Sequence, residues 1–179
     1  PSKWEGKTYR RQEKALNPAE RAEAEAATAL RWNKEVVGIL MEAGADLPFA
    51  ASVHKSRAGL DGATVLRCCR GLRANTLKQR VSTWRPLRRW LLQEGHPPFP
   101  AVAQQILDYL DTLWEGAAPR TAYRSLLTTL TFFETAGERP TDKRLSLEPS
   151  IENAVASLTA RRAQLQTQGE REEPKGGQA

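Results

Sequence analysis

Prolines and glycines punctuate this chain at helix-length intervals, and the apolar residues between them recur at steps of three and four. That combination confines the fold to packed helices. Asn17-Pro18-Ala19-Glu20 reads as a helix start. Asn17 is placed to cap, Pro18 suits a first position whose backbone donor is not needed, and Glu20 stands three residues after the cap. The helix is predicted to run to about Glu42 and to end at Gly44, with Leu30, Val37, Leu40 and Met41 as its apolar stripe. Residues 45–59, punctuated by Pro48 and Gly59, read as a connection. A short helix is predicted from about Ala63 to Cys69, ending near Gly71. A long one comes next, from Thr76, with Asn75 or Thr76 as cap, to about Gln93, closed by Gly95 and Pro97-Pro98.

Within the long helix Leu77, Val81, Trp84, Leu87 and Leu91 form one buried stripe. Pro86 removes a backbone donor there and is expected to bend or split it. Pro100 opens a third helix, with Val102, Ile106, Tyr109, Leu110 and Leu113 on one side and Gly116 after it. Pro119 opens a fourth, burying Ala122, Leu126, Leu127, Leu130 and Phe133, and Gly137 ends it. Pro149 opens a fifth, carrying Ile151, Val155 and Leu158. No strand pattern competes and no internal repeat occurs, so the expected architecture is an all-α bundle.

The chain divides into four segments. Residues 1–16 set Lys3, Lys7, Arg10, Arg11 and Lys14 around Trp4 and Tyr9 without apolar periodicity. They read as a solvated, disordered basic tail, or else as an arm that tracks DNA. Residues 17–59 are the N-terminal helix and connection, residues 60–165 the helical bundle, and residues 166–179, rich in Gln, Glu and Gly, a linker. The chain opens with proline and its single methionine is Met41, which reads as a piece of something longer. No apolar run reaches the length of a membrane span, and no signal-like core comes after a basic start. Cys68 and Cys69 are neighbours on a helix, pointing about 100° apart, a poor disposition for a disulfide. Without a second pair they build no metal site. Together these features describe a soluble intracellular protein, nuclear in a eukaryote and cytoplasmic in a bacterium or phage.

The net charge is +6, which favours a polyanionic partner. Its distribution says more than its sum. From Gly62 to Gln93 there is no acidic residue, while Arg67, Arg70, Arg73, Lys78, Arg80, Arg85, Arg88 and Arg89 all fall there. From Trp90 to Pro119 the balance reverses, with Glu94, Asp108, Asp111 and Glu115 and no Lys or Arg. Lys78, Ser82, Arg85 and Arg89 succeed one another at steps of four, three and four, a narrow stripe away from the core face. In the fourth helix Arg120, Thr121, Arg124, Thr128 and Thr131 lie opposite Leu126, Leu130 and Phe133. Guanidinium groups serve phosphates and guanine edges, and hydroxyls serve bases or backbone. A single such stripe is usually an ordinary solvated helix face. Two stripes and a long acid-free stretch together point to double-stranded DNA, with Lys78, Arg85, Arg89, Arg120 and Arg124 as contacts and Thr121 and Thr128 behind them. Trp84, Trp90 and Trp114 stand at core spacing, so burial is expected rather than base stacking; Trp4 and Trp32 are undetermined.

Catalytic constellations are sparse. His54-Lys55-Ser56-Arg57 has the spacing of two tyrosine-recombinase active-site residues, but His54 reads as a loop residue. Such a site also needs another arginine, a lysine and a free tyrosine nucleophile. Tyr109 and Tyr123 sit at or near inward helix faces, and Tyr9 lies in the basic tail. His96 lacks partner spacing, and Asp108 and Asp111 are a carboxylate pair that no histidine joins. No glycine-rich phosphate loop occurs. The expectation is a chain that is not itself an enzyme, with no cofactor, metal or small-molecule substrate and no membrane partner.

From about Arg73 onward the sequence resembles the core-binding, SAM-like domain of tyrosine recombinases and phage integrases. Ala74-Asn75-Thr76 opens the long helix, ahead of Trp84 and Trp90-Leu91; Tyr109-Leu110 and Leu113 match the next. Pro119-Arg120-Thr121 fits the opening of the one after, over Leu126, Leu130 and Phe133. Leu145-Ser146-Leu147-Glu148-Pro149-Ser150-Ile151 looks like the approach to the family's last helix, and Gln178-Ala179 like the linker to its catalytic domain. The resemblance covers about three-fifths of the chain and carries no catalytic signature. It implies an orthogonal bundle of four to five helices with an extra N-terminal helix and flexible tails. It also implies half of a clamp around duplex DNA, serving recombination and the integration of mobile elements, with self-association on DNA in the whole protein. Residues 1 to about 60, the interior Pro86 and the alanine-rich first helix depart from the pattern. The alternative reading is a helical protein-interaction module, or an RNA- or chromatin-binding one, with a basic face.

Overall fold

The computed structural model of the chain describes residues 17–56 and 61–172. Among them are seven α-helices and no strand: α1 Pro18–Glu42, α2 Pro48–Lys55, α3 Gly62–Cys68, α4 Ala74–Gln93, α5 Ala103–Glu115, α6 Arg120–Ala136 and α7 Pro149–Glu172. The basic tail of residues 1–16 and the end of the expected linker, residues 173–179, lie outside the described residues. No described helix is long and apolar enough to cross a membrane.

Helix α1 begins as its sequence dictates. The Asn17 side chain accepts from the Glu20 N–H at 2.8 Å, and the Glu20 carboxylate accepts in return from the Asn17 N–H at 3.0 Å. Leu30 departs from the expected stripe at 49% exposed, and Pro18 to Thr28 are exposed as well. Packing starts at Trp32 and continues through Asn33, Val36, Val37 and Leu40. This is where α1 meets α4, its main neighbour, so the alanine-rich half stands clear of the body.

The expected connection at 45–59 holds structure of its own: a 3-10 turn over Gly44–Asp46 and then α2. Pro48 opens α2, and Phe49, Ala50 and Val53 are buried in it. Three buried apolar residues in eight, two of them adjacent, do not register as periodicity. His54 therefore stands in the last turn of a helix rather than in a loop.

Helix α4 starts at Ala74, with Arg73 as the flanking residue, two positions ahead of the expected Thr76. It runs unbroken through Pro86. Pro86 and Ser82, whose carbonyl loses its helical partner, are both exposed, so the vacated acceptor stands on the solvent side. Meanwhile Leu77, Val81, Trp84, Leu87 and Leu91 are buried as read. Trp84 anchors the core, its ring centroid 4.9 Å from Phe99 and 4.6 Å from Phe133.

Helix α5 starts at Ala103 rather than at Pro100, and Val102 is exposed at 53% instead of buried. Gln105 takes the inward place, its amide oxygen accepting from the N–H groups of Ala101 at 2.7 Å and Val102 at 3.2 Å. A polar residue doing the capping from inside the helix is invisible to an apolar template. Trp90 and Trp114 are half-buried at the edge of the core, less deep than expected. Helix α7 continues to Glu172, through the first part of the expected linker, because Gln, Glu and Arg are good helix formers once a packed turn has nucleated them.

A buried polar knot ties α6 to the 3-10 turn at Leu145–Leu147, just ahead of α7. Glu134, fully buried, pairs with Arg139 at 3.1 Å and accepts from the N–H groups of Leu145 and Ser146 at 2.6 and 3.0 Å. Arg139 also donates to the Pro100 carbonyl at 3.0 Å. Its satisfied hydrogen bonds are what make a buried ion pair tolerable.

Candidate nucleic-acid interface

Burial of Leu77, Val81 and Trp84 turns the opposite side of α4 outward, and Lys78, Ser82, Arg85 and Arg89 are all exposed. Burial of Leu126, Leu130 and Phe133 does the same for α6, where Arg120, Thr121, Arg124, Thr128 and Thr131 are exposed. The two helices pack against each other through the core.

The two cationic sets open onto different grooves. Arg85 and Arg89 border one of about 860 Å³ between α1 and α4, with Lys34, Ile39 and Leu92 among its other walls. Arg120, Thr121 and Arg124 border one of about 430 Å³ between α6 and α7, floored by Ala156, Ala160 and Ala163. Lys78 and Thr128 line neither.

The hydroxyls are less free than the sequence suggests. Thr128 donates to the Arg124 carbonyl at 2.9 Å and Thr131 to the Leu127 carbonyl at 2.9 Å. Each keeps its oxygen lone pairs for an incoming donor, such as an adenine or cytosine amino group, while its own proton serves the helix. A phosphate contact from Thr128 first has to break that bond.

Acidic residues reach the acid-free stretch from outside it. Glu35 of α1 meets Arg85 at 3.3 Å. Glu42, two turns further on, accepts from Arg88 with both carboxylate oxygens, from Nε to Oε2 at 2.7 Å and from Nη2 to Oε1. The Arg88 hydrogen bonds hold the Glu42 carboxyl below its ordinary value. Trp32 of α1 sits under Arg85, its ring centroid 5.9 Å from the guanidinium carbon. Trp32, Glu35 and Glu42 went unrecognised as parts of this face. The signal was present, since the two glutamates are seven residues apart and flank the buried stripe. In the same way Arg161 and Arg162 of α7 lie over Trp114, at 4.6 and 4.1 Å, inside the stretch read as purely acidic. Arg162 donates to the Trp114 carbonyl at 2.9 Å, so this cation is spent on packing.

The residues weighed for catalysis do not converge. His54 is exposed at the end of α2, and Arg57 lies outside the described residues, as does Tyr9. Tyr123 is fully buried; Tyr109 is buried too, which pushes its phenol up. Asp108 is exposed on α5 and accepts from Gln104 at 2.7 Å. His96 lies with its ring tilted 45° to that of Trp90, the centroids 6.1 Å apart. Among the described residues, no three of His, Cys, Asp and Glu gather in a way that could hold a metal ion. Cys68 and Cys69 are both free and buried, and the adjacent thiol together with burial pushes Cys68 up.

Compared with protein-family models, curated proteins and solved structures, the chain matches none of them.

Proposed function

We propose that this chain binds duplex DNA as the clamp domain of a tyrosine recombinase or integrase, supporting recombination by a catalytic domain elsewhere in the parent protein. One observation carries the DNA reading. Two helices packed on each other both turn outward faces bearing exposed cations, and Lys78, Arg89, Arg120 and Arg124 form no ion pair with any described residue. Unpaired guanidinium and ammonium groups are what phosphates neutralise when counterions leave the duplex. The recombinase assignment rests on the resemblance from Arg73 onward. It is checked by reading the gene past Ala179 for an arginine, lysine, histidine and tyrosine set.

A second reading, an acidic protein partner, draws on Ile39 and Leu92 in the α1–α4 groove, since Leu92 is 44% exposed beside the cations. Fluorescence anisotropy on a generic duplex across a salt series separates the two. Changing Lys78, Arg85, Arg89 and Arg124 together to Glu is expected to abolish tight, salt-sensitive binding while leaving the helical signal intact. A single Arg124→Ala exchange is expected to lower the slope of log K against log salt by about 0.9 if Arg124 meets one phosphate, with little change in sequence preference. An absence of binding by the parent at low salt sinks the DNA reading and leaves the protein partner.

A further inference from the structure

Of the five cations assigned to the DNA face, only Arg85 carries an ion pair with a described residue. Its partner, Glu35, comes from another helix and meets it at a single contact of 3.3 Å, the two side chains 53% and 45% exposed. Arg88 nearby is held differently. Glu42 takes its fork through two hydrogen bonds, and both side chains are more enclosed. A two-pronged pair is geometrically matched and resists exchange, whereas a one-pronged exposed pair yields readily to a competing oxygen. Trp32 is buried beneath Arg85, so the guanidinium keeps a platform when the carboxylate leaves. Lys34 and Arg89 border the same open groove without ion pairs to described residues, so an arriving anion meets further positive charge.

Carboxylate and phosphate oxygens compete for the same N–H donors of a guanidinium. We propose that Glu35 is a built-in stand-in for a DNA phosphate, occupying Arg85 in the free protein and displaced when duplex arrives. Helix α1 thereby sets the affinity of the α4 face from outside it. Arg88 stays with Glu42 throughout and keeps α1 seated during the exchange. This rests on the DNA reading above.

The test is a double-mutant cycle read by anisotropy on duplex DNA. Glu35→Gln is expected to tighten binding about two- to five-fold beyond Glu25→Gln, the conversion of an exposed pair's strength into affinity. Glu25 is an exposed residue on the projecting half of α1, so its exchange removes the same net charge away from the groove. In an Arg85→Gln background the extra gain is expected to vanish. Glu35→Asp, which shortens the reach of the carboxylate without altering net charge, is expected to tighten binding in the same direction. Thermal melts by circular dichroism confirm that each variant is folded. Binding by the parent with equal effects of Glu35→Gln and Glu25→Gln overturns the stand-in and leaves the DNA reading intact. No binding by the parent removes the DNA reading and this inference with it.

Discussion

Gly137 is a residue whose side chain could not be larger. A Cβ built on it would stand 2.6 Å from Leu47 Cδ1 and 3.0 Å from the Phe133 carbonyl oxygen. Leu47 is fully buried and leads directly into α2, whose Phe49 N–H donates to the Gly137 carbonyl at 3.2 Å. The constraint is space, not backbone angle, since Gly137 has φ −78°. Gly137→Ala is expected to cost roughly 1–3 kcal/mol by overpacking, measured as a lowered urea midpoint. Adding Leu47→Ala is expected to recover part of the Gly137→Ala loss, measured against Leu47→Ala alone, because the Leu47 methyls in conflict are gone while the Phe133 carbonyl stays. Gly137 as a helix stop was legible in the sequence; its second role as the seat of Leu47 was not, because the two residues are ninety apart and only folding brings them together.

At the scale of elements, α1 and α3–α7 were legible from apolar spacing bordered by proline and glycine, but α2 and the polar capping of α5 were not. The stripe of α4 emerges intact, whereas α2 offers only Phe49, Ala50 and Val53, and α5 replaces Val102 by an inward Gln105. Charge segregation was read along the chain, but electrostatics acts through space, and α1 delivers Glu35 and Glu42 to the stretch that lacks acid. That delivery has a pH signature. The Glu42 carboxyl sits below its ordinary 4.5 in the folded protein because Arg88 hydrogen-bonds its charged form. The stability it adds is therefore fully present above the unfolded value and is lost as pH falls from there through the folded one. Urea unfolding of the parent and of Glu42→Gln is expected to show a gap that is constant near neutrality and closes below about pH 4.5. A gap that persists unchanged into acid would place the effect of Glu42 in packing rather than in its charge.

For the whole molecule, α1 is no appendage. Trp32, Val36, Val37 and Leu40 belong to the same buried cluster as Leu77, Trp84, Ile106, Phe133 and Val155. The first helix thus works both as a wall of the core and as a neighbour of the proposed DNA face, a coupling that no reading of residues 60–165 in isolation reveals. Because that core is assembled from both sides of residues 57–60, α1 and α2 cannot bury their apolar faces unaided, while α4–α7 keep their contacts with one another. A peptide spanning 17–56 is expected to be largely unstructured alone, since an isolated helix in water is marginal, and one spanning 61–172 to be helical but less stable than the intact chain. Mixed, they should find each other and regain the helical signal of the intact chain, and titrating one into the other would give an association constant for α1 and α2. Assembly without residues 57–60 would make this protein a natural two-piece reporter, its smaller piece silent apart and folded on the larger.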